Sequence, residues 1–167
     1  MPKAMNLPGQ CSTVPAHCPF CALVGDSQHP ARIDEFEHSV AFLNVDQTHP
    51  GRSILILKPH YEHFHQVPGL LFEGFNREMR VLENALWREM APDRLNYAVL
   101  GNLVAHVHWH LIPRYRQDEN WGAPPWPAKE ITQLSLAGYE AMARRIRWAI
   151  RHGPRIETGL NPGHPPV

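Results

Sequence analysis

The sequence predicts an α+β fold with a five-stranded antiparallel sheet and two main helices. Five short segments rich in β-branched and other apolar residues alternate with turn signals, and two longer segments repeat apolar residues every three or four positions. Three strands, a helix, two strands and a final helix follow one another, an order typical of an antiparallel sheet with helices packed beside it. A chain of 167 residues that is 43% hydrophobic can bury the core of one such domain.

The first three strands lie in the amino-terminal half of the chain. Residues 33–36 and 40–45 are apolar segments separated by a short polar stretch, which predicts a tight hairpin. A Pro-Gly turn signal follows at residues 50–51. Ser53–Lys58, a run of leucine and isoleucine that a proline ends, predicts a buried third strand.

A helix and two more strands come next. Between Pro68 and Pro92 the apolar residues recur at helical spacing, which predicts an amphipathic helix with one face on the core. These apolar residues are Leu71, Phe75, Met79, Leu82 and Leu86. Residues 95–100 and 106–112 flank a Gly-Asn turn and predict strands four and five.

The last part of the chain predicts a loop and a second helix. Residues 114–127 contain Trp121, Trp126 and three prolines, so this segment continues neither a strand nor a helix. Apolar residues at helical spacing then predict a helix that ends at residues 153–154, a Gly-Pro stop. These apolar residues are Ile131, Leu134, Met142, Ile146 and Ile150.

The composition predicts one cytoplasmic domain. We expect it at residues 17–152, between a loose arm at residues 1–16 and a proline-rich tail at residues 153–167. The chain shows neither the apolar stretch of a signal peptide nor that of a membrane span. Three cysteines cannot close a disulfide framework, which favours a reducing compartment.

The charge balance argues against nucleic acid and membrane surfaces as partners. Sixteen basic and sixteen acidic residues give a formal net charge of zero, whereas binders of such polyanions usually carry a basic excess. The last predicted helix does contain Arg144, Arg145, Arg147 and Arg151, which we interpret as a solvated helix face. An anionic ligand must therefore be bound by a local site.

Three histidines alternate with apolar residues in the fifth predicted strand. Because side chains of a strand point to opposite faces at every residue, His106, His108 and His110 are expected to line one face. The outer two have Cα atoms about 13 Å apart in such a strand, too far for one metal ion to bind both comfortably. At least one of the three must act otherwise, as a nucleophile, a base or a hydrogen-bond donor.

The segment His106–Arg114 resembles the signature of the histidine triad superfamily of nucleotide hydrolases and transferases, His-x-His-x-His followed by apolar residues and Pro-Arg. Upstream, residues 41–44, the turn at residues 50–51 and the strand with its closing residues 54–60 are similar to the corresponding family segments. Cys18-Pro-Phe-Cys21 is similar to the amino-terminal motif of the zinc-bearing members. The resemblance covers roughly residues 18–114.

The resemblance implies a mechanism without a catalytic metal. His108 would attack the α-phosphorus of a nucleotide and form a nucleotidyl-histidine intermediate, and His110 would donate a hydrogen bond to the phosphate or leaving group. Asn44 would bind the ribose hydroxyls and Asn102 the phosphate. A small-molecule nucleotide is the implied substrate, and a homodimer is the implied assembly.

The resemblance also implies a structural zinc ion bound by Cys18, Cys21, His60 and His106. Four protein ligands leave no open position, which is typical of a structural rather than a catalytic site. A single Cys-x-x-Cys is by itself also consistent with a pair of buried thiols.

The sequence departs from the family pattern at two places. Arg52 stands where the family has a histidine after Pro-Gly; an arginine can bind phosphate but cannot relay a proton. The hydroxyl residue expected before the triad is missing. Both changes weaken a phosphoramidate-hydrolase assignment and leave dinucleoside polyphosphate hydrolysis or another nucleotidyl transfer open.

Trp121 or Trp126 either stacks on a base or packs on the sheet.

Two other functions are consistent with the same residues. One is a metal-dependent hydrolase in which His108 and His110 are metal ligands. The other is a non-catalytic nucleotide-binding protein that keeps the histidine face only for binding.

Overall fold

The computed structural model describes residues 18–126 and 130–153 as three α-helices and one five-stranded antiparallel sheet. The strand order is β1-β2-β3-β5-β4. The strands are β1 Arg32–Glu35, β2 Ser39–Leu43, β3 Ser53–Leu57, β4 Arg94–Ala98 and β5 His108–Arg114. The helices are α1 Pro19–Gly25, α2 Gly69–Met90 and α3 Leu136–His152, with a short 3₁₀ turn at Phe64–Gln66. The predicted fold class is therefore confirmed.

Several element boundaries differ from the prediction. The triad strand begins at His108 rather than His106, because the backbone N–H of Val107 donates to Tyr61 O and that of His106 to Val104 O, outside the ladder. Helix α3 begins at Leu136, where the side chain of Ser135 accepts a hydrogen bond from the backbone of Gly138. The helical assignment of Ile131 and Leu134 was therefore wrong. The predicted terminal arm, residues 1–16, and residues 154–167 of the tail lie outside the described residues.

Helix α1 was not predicted from the sequence. It has only seven residues, and none of them is fully buried. A cysteine cap followed by a proline is also a weak signal for the start of a helix. Its partly buried side chains Phe20, Leu23 and Val24 nevertheless pack on the sheet. A helix this short is stabilised mainly by such tertiary contacts.

The sheet has an apolar layer on each face. Helices α2 and α3 cover one face, where residues such as Leu55 and Leu111 pack against Phe75, Leu82 and Ile146. The other face packs against α1 and consists of Val40, Phe42, Ile54 and Ile56.

The register of β3 and β5 decides where the histidines lie. Ile54 is opposite His110, and Ile56 is opposite His108. Directly opposite residues project to the same face, so both imidazoles share the face that α1 partly covers. The predicted one-sided arrangement of these two side chains is confirmed.

The arginines of α3 make contacts within the domain. Arg147 donates to the backbone oxygens of Arg32 and Ile33. Arg151 and Arg145 form ion pairs with Asp34 and Glu89, respectively. These three arginines therefore tie α3 to β1 and α2. Among the helices of the described part of the chain, none is long and apolar enough to cross a membrane.

Candidate active site and metal centre

His108 and His110 form a directly hydrogen-bonded pair. The Nε2 atoms of the two rings are 3.0 Å apart, and the two side chains are only 3% and 8% exposed. On its other side, the Nδ1 atom of His108 lies 2.7 Å from the carbonyl oxygen of His106. The backbone just before β5 thus orients the central ring.

These contacts define which nitrogen carries each proton. A carbonyl oxygen only accepts, so Nδ1 of neutral His108 donates and its Nε2 has a lone pair. His110 must then donate from its own Nε2 to that lone pair. The pair therefore combines a nucleophilic nitrogen on His108 with a donor nitrogen of His110 next to it.

Burial keeps both rings neutral. Desolvation lowers the pKa of His108 below its usual range. Desolvation, with a smaller contribution from the neighbouring His108 and Arg52, lowers the pKa of His110 to about 3. At neutral pH, His108 is therefore in the unprotonated form that can act as a nucleophile.

Phe20 is a site residue that the sequence analysis missed. Its ring packs edge-on against His108, with the ring centroids 4.8 Å apart. Phe20 lies between Cys18 and Cys21, and its position inside this motif is the one feature of the sequence that could have indicated a place near the site. Helix α1 therefore links the cysteine pair to the central histidine.

The predicted metal ligands form one cluster. The ligand atoms of Cys18, Cys21, His60 and His106 all lie within 4.8 Å of one another. The Nδ1 atoms of His60 and His106 are 3.2 Å apart, and three sulfur-to-nitrogen distances, Cys18–His106, Cys21–His60 and Cys21–His106, are 3.4 to 3.5 Å. Zinc bonds of the usual lengths at tetrahedral angles would place nitrogens about 3.3 Å apart and sulfur about 3.6 Å from nitrogen.

The protonation of His106 also fits a metal ligand. Its Nε2 donates to Leu57 O at 2.7 Å, which leaves the Nδ1 lone pair directed at the cluster. Burial lowers the pKa of His106 to about 4, so the ring is neutral. Burial, and secondarily Cys18, raise the pKa of the Cys21 thiol to about 11 in the absence of a cation. A bound metal ion would displace that proton.

The predicted substrate residues lie in different surroundings. Asn102 borders a cavity of about 360 Å³ that also reaches His108. The residues that line it are Glu62, His63, Val99, Leu100, Gly101, Asn102, His106, Val107 and His108. Asn44 follows β2, outside this cavity, and its side-chain oxygen accepts from the backbone N–H of Asp46.

Arg52 is buried at the His110 end of the site. Only 6% exposed, it donates from Nη1 to Asp46 at 2.6 Å. Its guanidinium carbon lies 4.9 Å from the centroid of the Trp126 ring, and that ring makes a T-shaped contact with His110. Asp46, six positions away from Arg52, was not singled out from the sequence.

The two tryptophans of the loop after β5 have different positions. Trp126 contacts the site, whereas Trp121 stacks with Arg116. Arg114 holds this loop through hydrogen bonds to Asp118, the backbone of Asn120 and Ala123, and Asn96. Buried His49, which lies 3.3 Å from Asp118, connects the loop to the turn before β3.

The family follows from comparison with known proteins. A family model described as HIT domain matches residues 27–117, more than half of the chain. The chain belongs to the HIT domain family. The model includes the histidine row, Asn44 and Arg52, while the two cysteines precede its first matched residue.

Individual HIT relatives and structures agree with this membership. Protein hit of Bacillus subtilis is 30% identical over 112 residues, which cover 64% of this chain and 77% of that protein. Adenosine 5'-monophosphoramidase HNT1 of Saccharomyces cerevisiae is 28% identical over 124 residues, 71% of this chain and 75% of that protein. The structure of a Zn-bound histidine triad family protein from Mycobacterium smegmatis superposes with a TM-score of 0.61 at 24% sequence identity. The aligned part covers 80% of this chain and 93% of that protein.

Proposed function

We propose that this HIT protein hydrolyses or transfers a nucleotidyl group at the α-phosphate of a nucleotide conjugate. The observation that carries the proposal is the lone pair on Nε2 of His108, beside the donor nitrogen of His110. A relative named as an adenosine 5'-monophosphoramidase supports the reaction class. The protein would act as a cytoplasmic enzyme on a small nucleotide substrate.

The reaction would proceed in two displacements. Nε2 of His108 forms a bond to the α-phosphorus while the bond to the leaving group breaks, and the leaving group takes its proton from solvent. His110 turns its Nε2–H from His108 to a phosphate oxygen and stabilises the developing negative charge. Water or another acceptor then forms the new bond to phosphorus while the bond from phosphorus to Nε2 of His108 breaks. The electron pair of that bond returns to Nε2, and the acceptor gives its proton to solvent.

Three further residues would bind the substrate. Asn44 contacts the ribose hydroxyls, and Asn102 contacts the phosphate from the cavity that it shares with His108. Arg52 supplies a fixed positive charge at the His110 end of the site.

The cavity favours a leaving group without strong negative charge. Its lining contains the carboxylate of Glu62 beside His63, and no lysine or arginine is among the described residues that line it. A polyphosphate chain would find no cationic partner there, whereas an amine would meet a carboxylate. Phosphoramidates, which the two departures from the family motif argue against, therefore fit this surface better than dinucleoside polyphosphates do.

The cysteine cluster would bind a structural zinc ion. Cys18, Cys21, His60 and His106 supply two sulfur and two nitrogen ligands at tetrahedral spacing. The ion would anchor α1, and with it Phe20, beside His108. It would take no part in the reaction itself.

The assembly would be a homodimer through the outer edge of β4. This strand is at the end of the sheet, and Tyr97, Val99, Leu100 and Leu103 leave between 40% and 100% of their surface exposed beside it. An edge strand with apolar neighbours is suited to pairing with a second copy. Light scattering after size exclusion measures the mass, and a monomer at micromolar concentration would contradict this assembly.

The test is a panel of nucleoside phosphoramidates, dinucleoside polyphosphates and nucleotidyl sulfates, assayed for AMP or GMP release. We expect wild-type turnover and, after quenching with radiolabelled substrate, a covalent label on His108. His108→Ala should lose both while it remains folded, and exposed His152→Ala is the matched control.

Other results would favour the alternative functions. Nucleotide binding without turnover anywhere in the panel would indicate a non-catalytic binding protein. Loss of turnover on chelation, restored by metal and without any change in melting temperature, would indicate a metal-dependent hydrolase with His108 and His110 as ligands.

A further inference from the structure

The second nitrogen of His110 is buried and lacks a hydrogen-bond partner. Because Nε2 of His110 must donate to His108, the Nδ1 atom of the neutral ring has a lone pair. Among the described residues no hydrogen-bond partner contacts this atom. If the proton moved to Nδ1, the ring could no longer donate to His108 or to a phosphate.

Arg52 is placed to act on this nitrogen. Ile54 of β3 lies directly opposite His110, so Arg52, two residues earlier on the same face, is its diagonal neighbour. Such neighbours are within reach of a long side chain. The Nε–H of Arg52 is also buried, and it too has no hydrogen-bond partner in the described part of the chain.

The guanidinium is fixed from two further sides. Asp46 accepts from its Nη1 at 2.6 Å, and the Trp126 ring covers its face at 4.9 Å. The same ring makes a T-shaped contact with His110, with centroids 5.7 Å apart. The Trp126 ring therefore contacts both the guanidinium of Arg52 and the imidazole of His110.

We propose that Arg52, held by Asp46 and Trp126, is a positioning residue that keeps the single proton of His110 on Nε2. A guanidinium carries only N–H donors and a permanent charge, so it stabilises a lone pair on Nδ1 and opposes a proton there. A histidine at this position could either donate or accept and would not impose this choice. The tautomer assignment follows from the hydrogen-bond geometry of His108 and His110. The effect of that tautomer on turnover rests on the proposed function.

Nuclear magnetic resonance measures the tautomer directly. Long-range ¹H–¹⁵N correlation spectra of the full-length ¹⁵N-labelled protein at neutral pH separate protonated from unprotonated ring nitrogens, and a His110→Gln variant assigns the signals. We expect wild-type His110 to be protonated on Nε2 alone. In Arg52→Gln, whose amide can donate or accept, only the hydrogen bond to His108 still favours Nε2, and we expect signals of the Nδ1-protonated tautomer beside those of the Nε2-protonated one.

Two controls separate positioning from a general structural effect. Arg116→Gln removes the exposed arginine that stacks on Trp121 in the same loop, and it should leave the His110 signals unchanged. If Arg52→Gln fails to fold, Trp126→Leu removes the stacking ring while the Arg52–Asp46 ion pair remains, and it should also give mixed signals.

Two spectroscopic results would overturn the proposal. One is a wild-type His110 protonated on Nδ1, and the other is an unaltered Nε2–H signal in the folded Arg52→Gln or Trp126→Leu variant. Neither measurement requires turnover, so an inactive wild-type protein would refute the proposed function and leave this test intact.

Kinetics would then measure the consequence. With an active phosphoramidate substrate, Arg52→Gln and Trp126→Leu should lower kcat about tenfold or more, since they misdirect a donor needed in the transition state. Trp126→Phe, which keeps an aromatic ring over the cation, should recover most of that loss. A rise in KM alone, with kcat unchanged, would limit Arg52 to substrate binding and would overturn its positioning role.

Discussion

Removal of the proposed zinc ion is expected to destabilise the fold around the active site, and to lower activity through that loss of structure. The four ligands come from α1, from the segment after β3 and from the residue two positions before β5. Without the ion, two imidazole lone pairs 3.2 Å apart would face each other beside two thiols. The amino-terminal helix then keeps the apolar contacts of Phe20, Leu23 and Val24 with the sheet and the hydrogen bond from Arg32 to Val24 O.

The size of the effect follows from binding linkage. Zinc at a thousand times its dissociation constant stabilises the folded state by about 4 kcal/mol. For a domain of this size, each 1 kcal/mol corresponds to about 2–4 °C in melting temperature. Chelation should therefore lower the melting temperature by about 10 °C, and activity should fall with the folded fraction.

The assay combines metal content with thermal denaturation. We expect one zinc per chain, a lower melting temperature in chelator and recovery on addition of zinc. Cys21→Ser should abolish zinc binding, whereas Cys11→Ser, outside the ligand set, should bind zinc normally. Full zinc content in Cys21→Ser, or a melting temperature that chelation does not change, would refute the assignment of these ligands.

Three further predictions concern the surroundings of the site. Arg114→Lys should destabilise the fold by about 3 kcal/mol in chemical denaturation, because an ammonium cannot replace the guanidinium that holds the loop after β5; a change below about 1 kcal/mol would contradict this role. Glu62→Lys should lower kcat/KM for phosphoramidates relative to kcat/KM for dinucleoside polyphosphates. Glu73→Lys, the same charge change on α2, is the control and should leave this ratio as in the wild type. An unchanged ratio in Glu62→Lys would refute the leaving-group assignment. The free energy of unfolding should decrease as the pH falls below about 6.5, because the unfolded chain then protonates His110 whereas the pKa of His110 in the folded chain is about 3. Urea titrations at several pH values measure this free energy, and the values for wild type and His110→Gln should converge as the pH falls. A constant difference between the two proteins would contradict the burial argument.

Local patterns predicted much of this molecule. The apolar runs gave β2 and β3, and the helical spacing of Leu82 and Leu86 gave α2, since these periodicities record which face of an element is buried. Alternation placed His108 and His110 on one face for the same reason. The start of α3 was missed because Leu134 continues the apolar spacing, while the cap at Ser135 decides where the helix begins.

The amino-acid sequence by itself determined the fold class and the histidine face, because period and turn residues are properties of neighbouring positions. The four residues of the cysteine cluster, which come from distant parts of the chain, followed instead from the resemblance to the zinc-bearing histidine triad proteins. Only the tertiary structure decided that Phe20 packs on His108 and that Arg52 lies between Asp46 and Trp126 beside His110. Phe20 is far from His108 along the chain, as Arg52 is from Trp126. Their contacts depend on how sheet, helix and loop pack, which no local pattern records.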